Sequence, residues 1–124
     1  MGKRKTTLLI VDDNKFFIER VISLIEESCQ IAKIEIAYDY EKAITSLENN
    51  TPDIVLLDIN MPGKNGIELL QEVRRREKQC LIIMISNHDN EYYREQCKKL
   101  GADHFLDKSD EFGMLPSIIN DFGK

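Results

Sequence analysis

The sequence predicts an α/β fold, a doubly wound parallel sheet of five strands in the order 2-1-3-4-5 with helices on both faces. Three observations predict it. Leu8 to Val11, Ile54 to Leu57 and Leu81 to Ile85 are apolar runs without polar alternation, the pattern of strands covered on both sides. Segments with apolar residues at helical spacing lie between the strand runs, so successive strands run parallel through right-handed crossovers. Each apolar run also ends abruptly in carboxylate, amide or hydroxyl residues.

The elements follow in order. Thr7 to Val11 forms the first strand, broken by Asp12-Asp13-Asn14, which also offers a helix N-cap. Phe17, Val21, Leu24, Ile25 and Ser28 mark one face of a first helix. Ile34, Ile36 and Tyr38 alternate with Lys33, Glu35 and Ala37, the pattern of an edge strand with one face more exposed. Ala43, Ile44 and Leu47 give a second helix ending before Asn49-Asn50, and Pro52 introduces the central strand. That strand, Ile54 to Leu57, stops on Asp58-Ile59-Asn60-Met61-Pro62-Gly63. Ile67, Leu70 and Val73 mark a third helix whose charged remainder, Glu72 to Lys78, is expected to face water. Leu81 to Ile85 is a second central strand ending at Ser86-Asn87. Tyr93, Cys97 and Leu100 line a fourth helix stopped by Gly101, placed as a C-terminal glycine cap. His104-Phe105-Leu106 is a short edge strand ending at Asp107-Lys108. Phe112, Leu115, Ile119 and Phe122 mark a last helix, in which Pro116 is tolerable only in the first turn.

Residues 1–124 read as one domain, with no repeat or linker. A net charge of -5 gives no general attraction to nucleic acid or anionic membrane. Lys3-Arg4-Lys5 and Arg74-Arg75-Arg76 read as solvated charge runs. Cys29, Cys80 and Cys97 have neither disulfide nor zinc spacing, and read as buried free thiols of a reducing cytoplasm. Nothing has the length of a transmembrane segment, and the apolar run after the basic start is too short for a signal peptide. Met1-Gly2 with Thr6 fits a loose myristoylation pattern that no other feature supports.

In a parallel sheet the carboxyl ends of all strands lie on one rim, where open α/β sheets bind their ligands. That rim gathers Asp12 and Asp13 after the first strand, Asp58 after the third, Ser86 and Asn87 after the fourth and Lys108 after the fifth. Carboxylates brought that close repel, and an all-oxygen set suits a hard divalent cation such as magnesium. A carboxylate nucleophile beside a metal, an ammonium and a hydroxyl is equipped to accept a phosphoryl group, whose oxygens must be neutralised from several directions.

These residues, at this spacing along essentially the whole chain, resemble the receiver domains of two-component response regulators, here of the stand-alone type with a flavodoxin-like receiver fold. The resemblance implies that Asp58 accepts phosphate from a histidine kinase or phosphotransfer protein. It implies that Asp13 and Asp58 ligate Mg2+ directly, Asp12 largely through water and Asn60 through its backbone carbonyl. Ser86 matches the hydroxyl that bonds the phosphoryl group, Lys108 the lysine, and Phe105 the aromatic that turns inward when the hydroxyl moves. Met61-Pro62-Gly63 through Gly66 and Leu100-Gly101-Ala102-Asp103 match turn patterns of the family. The implied output is a change in the surface of the fourth helix, fifth strand and fifth helix. That surface would regulate a protein partner or support a weak phosphorylation-dependent homodimer, with no direct nucleic-acid contact and no membrane insertion.

Two positions depart from the family pattern. Ser109 follows Lys108 where proline in a cis bond is common; a non-proline cis bond costs about 2.5 to 4 kcal/mol, so a trans bond is expected. Asn87 follows Ser86 where a smaller residue is usual, which makes Asn87, with His88 and Asn60, a candidate for tuning the lifetime of phospho-Asp58. His88 and His104 otherwise read as surface or edge residues. Two rival functions fit the same strand end. A phosphohydrolase of the haloacid dehalogenase type wants a second Asp two residues after the nucleophile, where this chain has Asn60. A pseudo-receiver would be a constitutive interaction module, against which stands the complete set of acidic, hydroxyl and lysine positions.

Overall fold

The computed structural model describes residues 6–61, 65–87 and 91–122. The elements are β1 (Thr7–Val11), α1 (Lys15–Ser28), β2 (Lys33–Ala37), α2 (Tyr40–Asn49), β3 (Ile54–Asp58), α3 (Gly66–Arg76), β4 (Leu81–Ser86), α4 (Glu91–Lys99), β5 (His104–Asp107), a 3-10 turn (Phe112–Met114) and α5 (Leu115–Phe122). All strands are parallel, in the order β2-β1-β3-β4-β5, as expected.

Alternation along each central strand divides the apolar residues between two cores. Leu9, Val11, Val55, Leu57, Ile82 and Met84 pack on one face against Leu69, Leu70 and Val73 of α3, Ala43 and Leu47 of α2, and Cys97 of α4. Leu8, Ile10, Ile54, Leu56, Ile83 and Ile85 pack on the other against Ile18, Val21 and Ile25 of α1 and Leu115, Ile118 and Ile119 of α5. Because both faces are covered, β3 is buried at every position, its terminal Asp58 included.

Local chemistry sets the element ends. Asn14 is the N-cap of α1, its Oδ1 accepting from Phe17 N at 3.1 Å. Asp12 and Asp13 are thereby left at the rim. Asn65 and Glu68 form a reciprocal capping box at the start of α3. Gly101 has φ +107° and closes α4, the left-handed geometry that a glycine cap permits. Pro116 lies in the first turn of α5.

The structure corrects several expectations. In β2 it is Ala37 that is buried and Ile36 that is exposed, because the edge strand is covered by α2 on one side and only partly by α1 on the other. Ile18 and Leu69 join the core, whereas Leu24 is half-buried and Ser28 exposed. Cys29 is half-buried, while burial pushes the Cys80 and Cys97 thiols up to about 11; all three cysteines are free. Tyr92 and Tyr93 divide as expected between surface and core edge. Residues 1–5, with the basic run and the Met1-Gly2 pattern, lie outside the described residues, as do Pro62, Gly63 and His88.

Arg74 is the largest correction, since it is no solvated charge. Its guanidinium donates to the Gly101 carbonyl at 3.1 and 2.7 Å and to the Cys80 carbonyl at 2.9 Å. It also donates at 3.0 Å to Asp103 Oδ2, which itself accepts from Ile82 N at 2.8 Å. The planar fork thus ties the end of α3 to the start of β4 and the turn between α4 and β5. Arg74→Ala is expected to cost about 2 to 4 kcal/mol in chemical denaturation, since several acceptors lose a charged donor together. A loss below about 0.5 kcal/mol would show that water replaces it without penalty.

Candidate functional site

The carboxyl ends of β1, β3, β4 and β5 meet on one rim and bring together residues far apart in sequence. Asp12 follows β1, Asp58 ends β3, Ser86 ends β4 and Lys108 follows β5; all four are buried. Carboxylate oxygens of Asp12, Asp13 and Asp58 all lie within 4.8 Å of one another, with Asp13 exposed on the open side. The Lys108 ammonium lies 2.8 Å from Asp12 Oδ2 and 3.5 Å from Asp58 Oδ2.

The backbone fixes these groups. Asp12 N donates to the Ala37 carbonyl at 3.1 Å, and Asp12 Oδ1 accepts from Asn14 N at 2.8 Å. Asp58 Oδ1 accepts from Asn60 N at 3.2 Å. Lys108 N donates to the Ser86 carbonyl at 2.9 Å, which locks the turn after β5 onto the end of β4. Ser86 is fully buried one residue beyond Ile85, the register partner of Asp58. The Lys108–Ser109 peptide is trans, as expected.

The electrostatics are poised. Burial, and then the neighbouring Asp12 charge, push the Asp58 carboxyl up to about 6; Lys108 and the Asn60 N–H pull it back only in part. Asp12 Oδ2 is buried and its ion pair with Lys108 is not aligned as a hydrogen bond, so this oxygen has acceptor capacity to spare. Three carboxylates, oxygen donors only, whose oxygens converge within 4.8 Å of one another, fit a hard divalent cation.

Other candidate positions lie around this centre. Asn60 and Asn87 are exposed, and Asn87 lines a cavity of about 400 Å³ with Asn14, Phe17, Arg20, Lys108 and Ser109. Phe105 is half-buried at the edge of the α3 and α4 core.

Two contributions escape a reading of the sequence by spacing. Phe17, counted there only as helix core, places its ring 4.6 Å from the Lys108 ammonium, a cation–π contact. Gly66 packs directly under the end of β3: its N–H donates to the Ile59 carbonyl at 2.7 Å, and a Cβ there would lie 2.1 Å from the Asp58 carbonyl oxygen. The turn pattern flagged Gly66, but only the packed structure shows why it must be small.

Comparison with known proteins agrees with this geometry. Residues 8–120 match the response regulator receiver domain family. The transcriptional regulatory protein DegU of Brevibacillus brevis is 31% identical over 106 residues, covering 86% of this chain and 45% of that protein. The nitrate/nitrite response regulator protein NarL of Escherichia coli K12 is 35% identical over 112 residues, covering 89% and 51%. The chain thus spans about half the length of these curated relatives. A crystal structure of a LuxR-family two-component response regulator from an Aurantimonas species superposes with a TM-score of 0.86 at 26% identity, covering 95% of this chain and 84% of that one. Over nearly its whole length, from the first strand into the last helix, the chain belongs to the response regulator receiver domain family.

Proposed function

We propose that the chain is a phosphorylation-controlled signalling switch in which Asp58 accepts a phosphoryl group from a histidine kinase or phosphotransfer protein. The observation that carries this reading is the buried Asp58 carboxylate at the end of β3, with two further carboxylates within 4.8 Å and the Lys108 ammonium at 3.5 Å. In the transfer, an Asp58 oxygen bonds to phosphorus as the bond from phosphorus to the donor atom breaks, and the donor leaves with that electron pair. Asp12, Asp13, Asp58 and the Asn60 carbonyl would hold Mg2+, which supplies positive charge to the oxygens of the transferring group.

Lys108 offsets the charge that arrives on Asp58, and its turn is already tied to Ser86 through the backbone. Ser86 donates its hydroxyl to the phosphoryl oxygens, and Phe105 follows into the space it leaves. Asn60 and Asn87, exposed beside the site, tune access of water to the phosphorylated residue. The change then appears on the surface of α4, β5 and α5, which regulates a protein partner or a second copy of the chain. This makes the chain a phosphoacceptor, acting in the cytoplasm, and not a conventional enzyme. Among the described residues no helix is long and apolar enough to cross a membrane.

The test is intact-protein mass after incubation with acetyl phosphate and Mg2+. The wild-type chain is expected to gain one phosphoryl group, dependent on metal, and Asp58→Ala to gain none. No gain in the wild type, under conditions that modify a control receiver, would leave a constitutive interaction module as the better reading.

A further inference from the structure

Resting on that reading, we propose that Arg94 on α4 is a positioning residue for Lys108, acting through Glu111, and that this polar clasp is a second route between the phosphoryl site and α4. The route runs through Glu111 and the backbone of the turn after β5, beside the Phe105 ring and without the Ser86 side chain. Its parts are contiguous. Glu111 Oε1 accepts from Arg94 Nη2 at 2.7 Å and from Asp107 N at 2.9 Å, so one carboxylate oxygen holds both the helix and the residue next to Lys108. Asp107, itself buried, accepts through Oδ2 from Ser109 N at 3.2 Å and Asp110 N at 2.8 Å, while Glu111 N returns to the Asp107 carbonyl at 2.9 Å. Residues 107–111 therefore form a turn closed from within by both acidic side chains, and Lys108 is its second residue.

Arg94 anchors that turn to the sheet edge. Its Nη1 donates to the Phe105 carbonyl at 3.1 Å, and its guanidinium lies 4.9 Å from the Phe105 ring centroid. The β5 edge strand would otherwise present that carbonyl to solvent. A planar, forked cation can hold a carbonyl, a ring face and a carboxylate at once, which an ammonium cannot. The consequence for Lys108 follows from its backbone. With Lys108 N bonded to the Ser86 carbonyl, the direction of its side chain depends on how the rest of the turn closes, and Glu111 is the member of the turn that Arg94 grips. A shift of α4 thus pulls on the turn that carries the ammonium, and a new load on the ammonium pulls on α4.

Amide hydrogen exchange of the unphosphorylated chain is the first arm of the test. Arg94→Gln is expected to speed exchange at Asp107, Ser109, Asp110 and Glu111 by tenfold or more, with β1 and β3 unchanged within twofold. The second arm measures phosphoryl uptake from acetyl phosphate at varied Mg2+. The rate at saturating metal should fall about three- to tenfold with no loss of Mg2+ affinity, because the clasp supplies no metal ligand and a looser Lys108 competes less for Asp12 and Asp58. Arg94→Lys should recover only part of the rate. Arg94→Gln combined with Glu111→Gln should be no slower than the slower single variant, as members of one linkage are. Wild-type exchange in the turn of Arg94→Gln would overturn the clasp, and so would a loss of rate matched by a loss of Mg2+ affinity. If the wild-type chain takes up no phosphate, the switch reading fails, and the exchange arm alone decides whether Arg94 holds the turn.

Discussion

Asp58→Asn is expected to raise the thermal midpoint of the metal-free chain at pH 8 while abolishing phosphoryl uptake. The wild-type carboxyl is buried beside Asp12 and is pushed up to about 6 from the ordinary 3.8. A carboxyl whose pKa is higher in the folded state favours folding when protonated. Its contribution is therefore complete below the unfolded value near 3.8 and is lost as pH rises through about 6. At pH 8 the folded chain carries an ionised carboxylate that water would solvate better, at a cost of about 1 to 3 kcal/mol. An amide removes that cost, a gain of roughly 4 to 12 °C for a chain of this size. The gain should shrink steadily as pH falls from 6 towards 4. Mg2+ should narrow the difference from the other side, stabilising the wild type by mass action and the amide variant much less. Scanning calorimetry at pH 8 and pH 4.5, with and without metal, measures all of this. An unchanged or lowered midpoint for Asp58→Asn at pH 8 without metal would show that Lys108 already compensates the buried charge in full.

The same burial that strains Asp58 is what made it legible. A run of four apolar residues with no alternation has one physical reading in a chain that alternates strand with helix, and the polar residue ending it must lie on the rim. Sheet order, the glycine cap at Gly101 and the place of Pro116 follow from equally local chemistry, and the structure bears them out. What was not legible depends on packing between elements. The reversal of Ile36 and Ala37 comes from which helix covers each face of an edge strand, which alternation alone does not encode. Arg74 sits in a run of three arginines, and nothing local separates the one that binds carbonyls of distant turns from its neighbours, which pair with Glu72 on their own helix. Around Asp58 the rim residues could be assembled by topology, but the cation–π contact between Phe17 and Lys108 joins α1 to a turn some ninety residues later. Periodicity marks Phe17 as apolar and is silent on what lies against its ring.

Gly66→Ala is expected to be the most damaging single methyl the chain could receive near its site, costing about 3 kcal/mol or more. The reason is room, not backbone freedom, since the described residue with positive φ is Gly101 alone. A Cβ on Gly66 would lie 2.1 Å from the Asp58 carbonyl oxygen and 2.7 Å from Ile59 Cα, both backbone atoms with no rotamer to yield. Either α3 moves off the sheet, uncovering Leu69, Leu70 and Val73, or the end of β3 moves instead. The second response shifts Asp58 relative to Asp12 and Lys108, which are held by other strands, so phosphoryl uptake should fall further than the lost stability explains. Gly101→Ala is the control. There the new Cβ meets Cγ and Nε of the clamped Arg74 side chain at 3.0 Å, and the left-handed φ adds a strain of about 1 kcal/mol, both far from the rim. The two variants should therefore separate in uptake rate relative to stability, with Gly101→Ala losing stability and keeping its rate. A Gly66→Ala chain with wild-type stability and wild-type uptake would mean that α3 docks less closely under Asp58 than the 2.7 Å bond from Gly66 N to the Ile59 carbonyl requires.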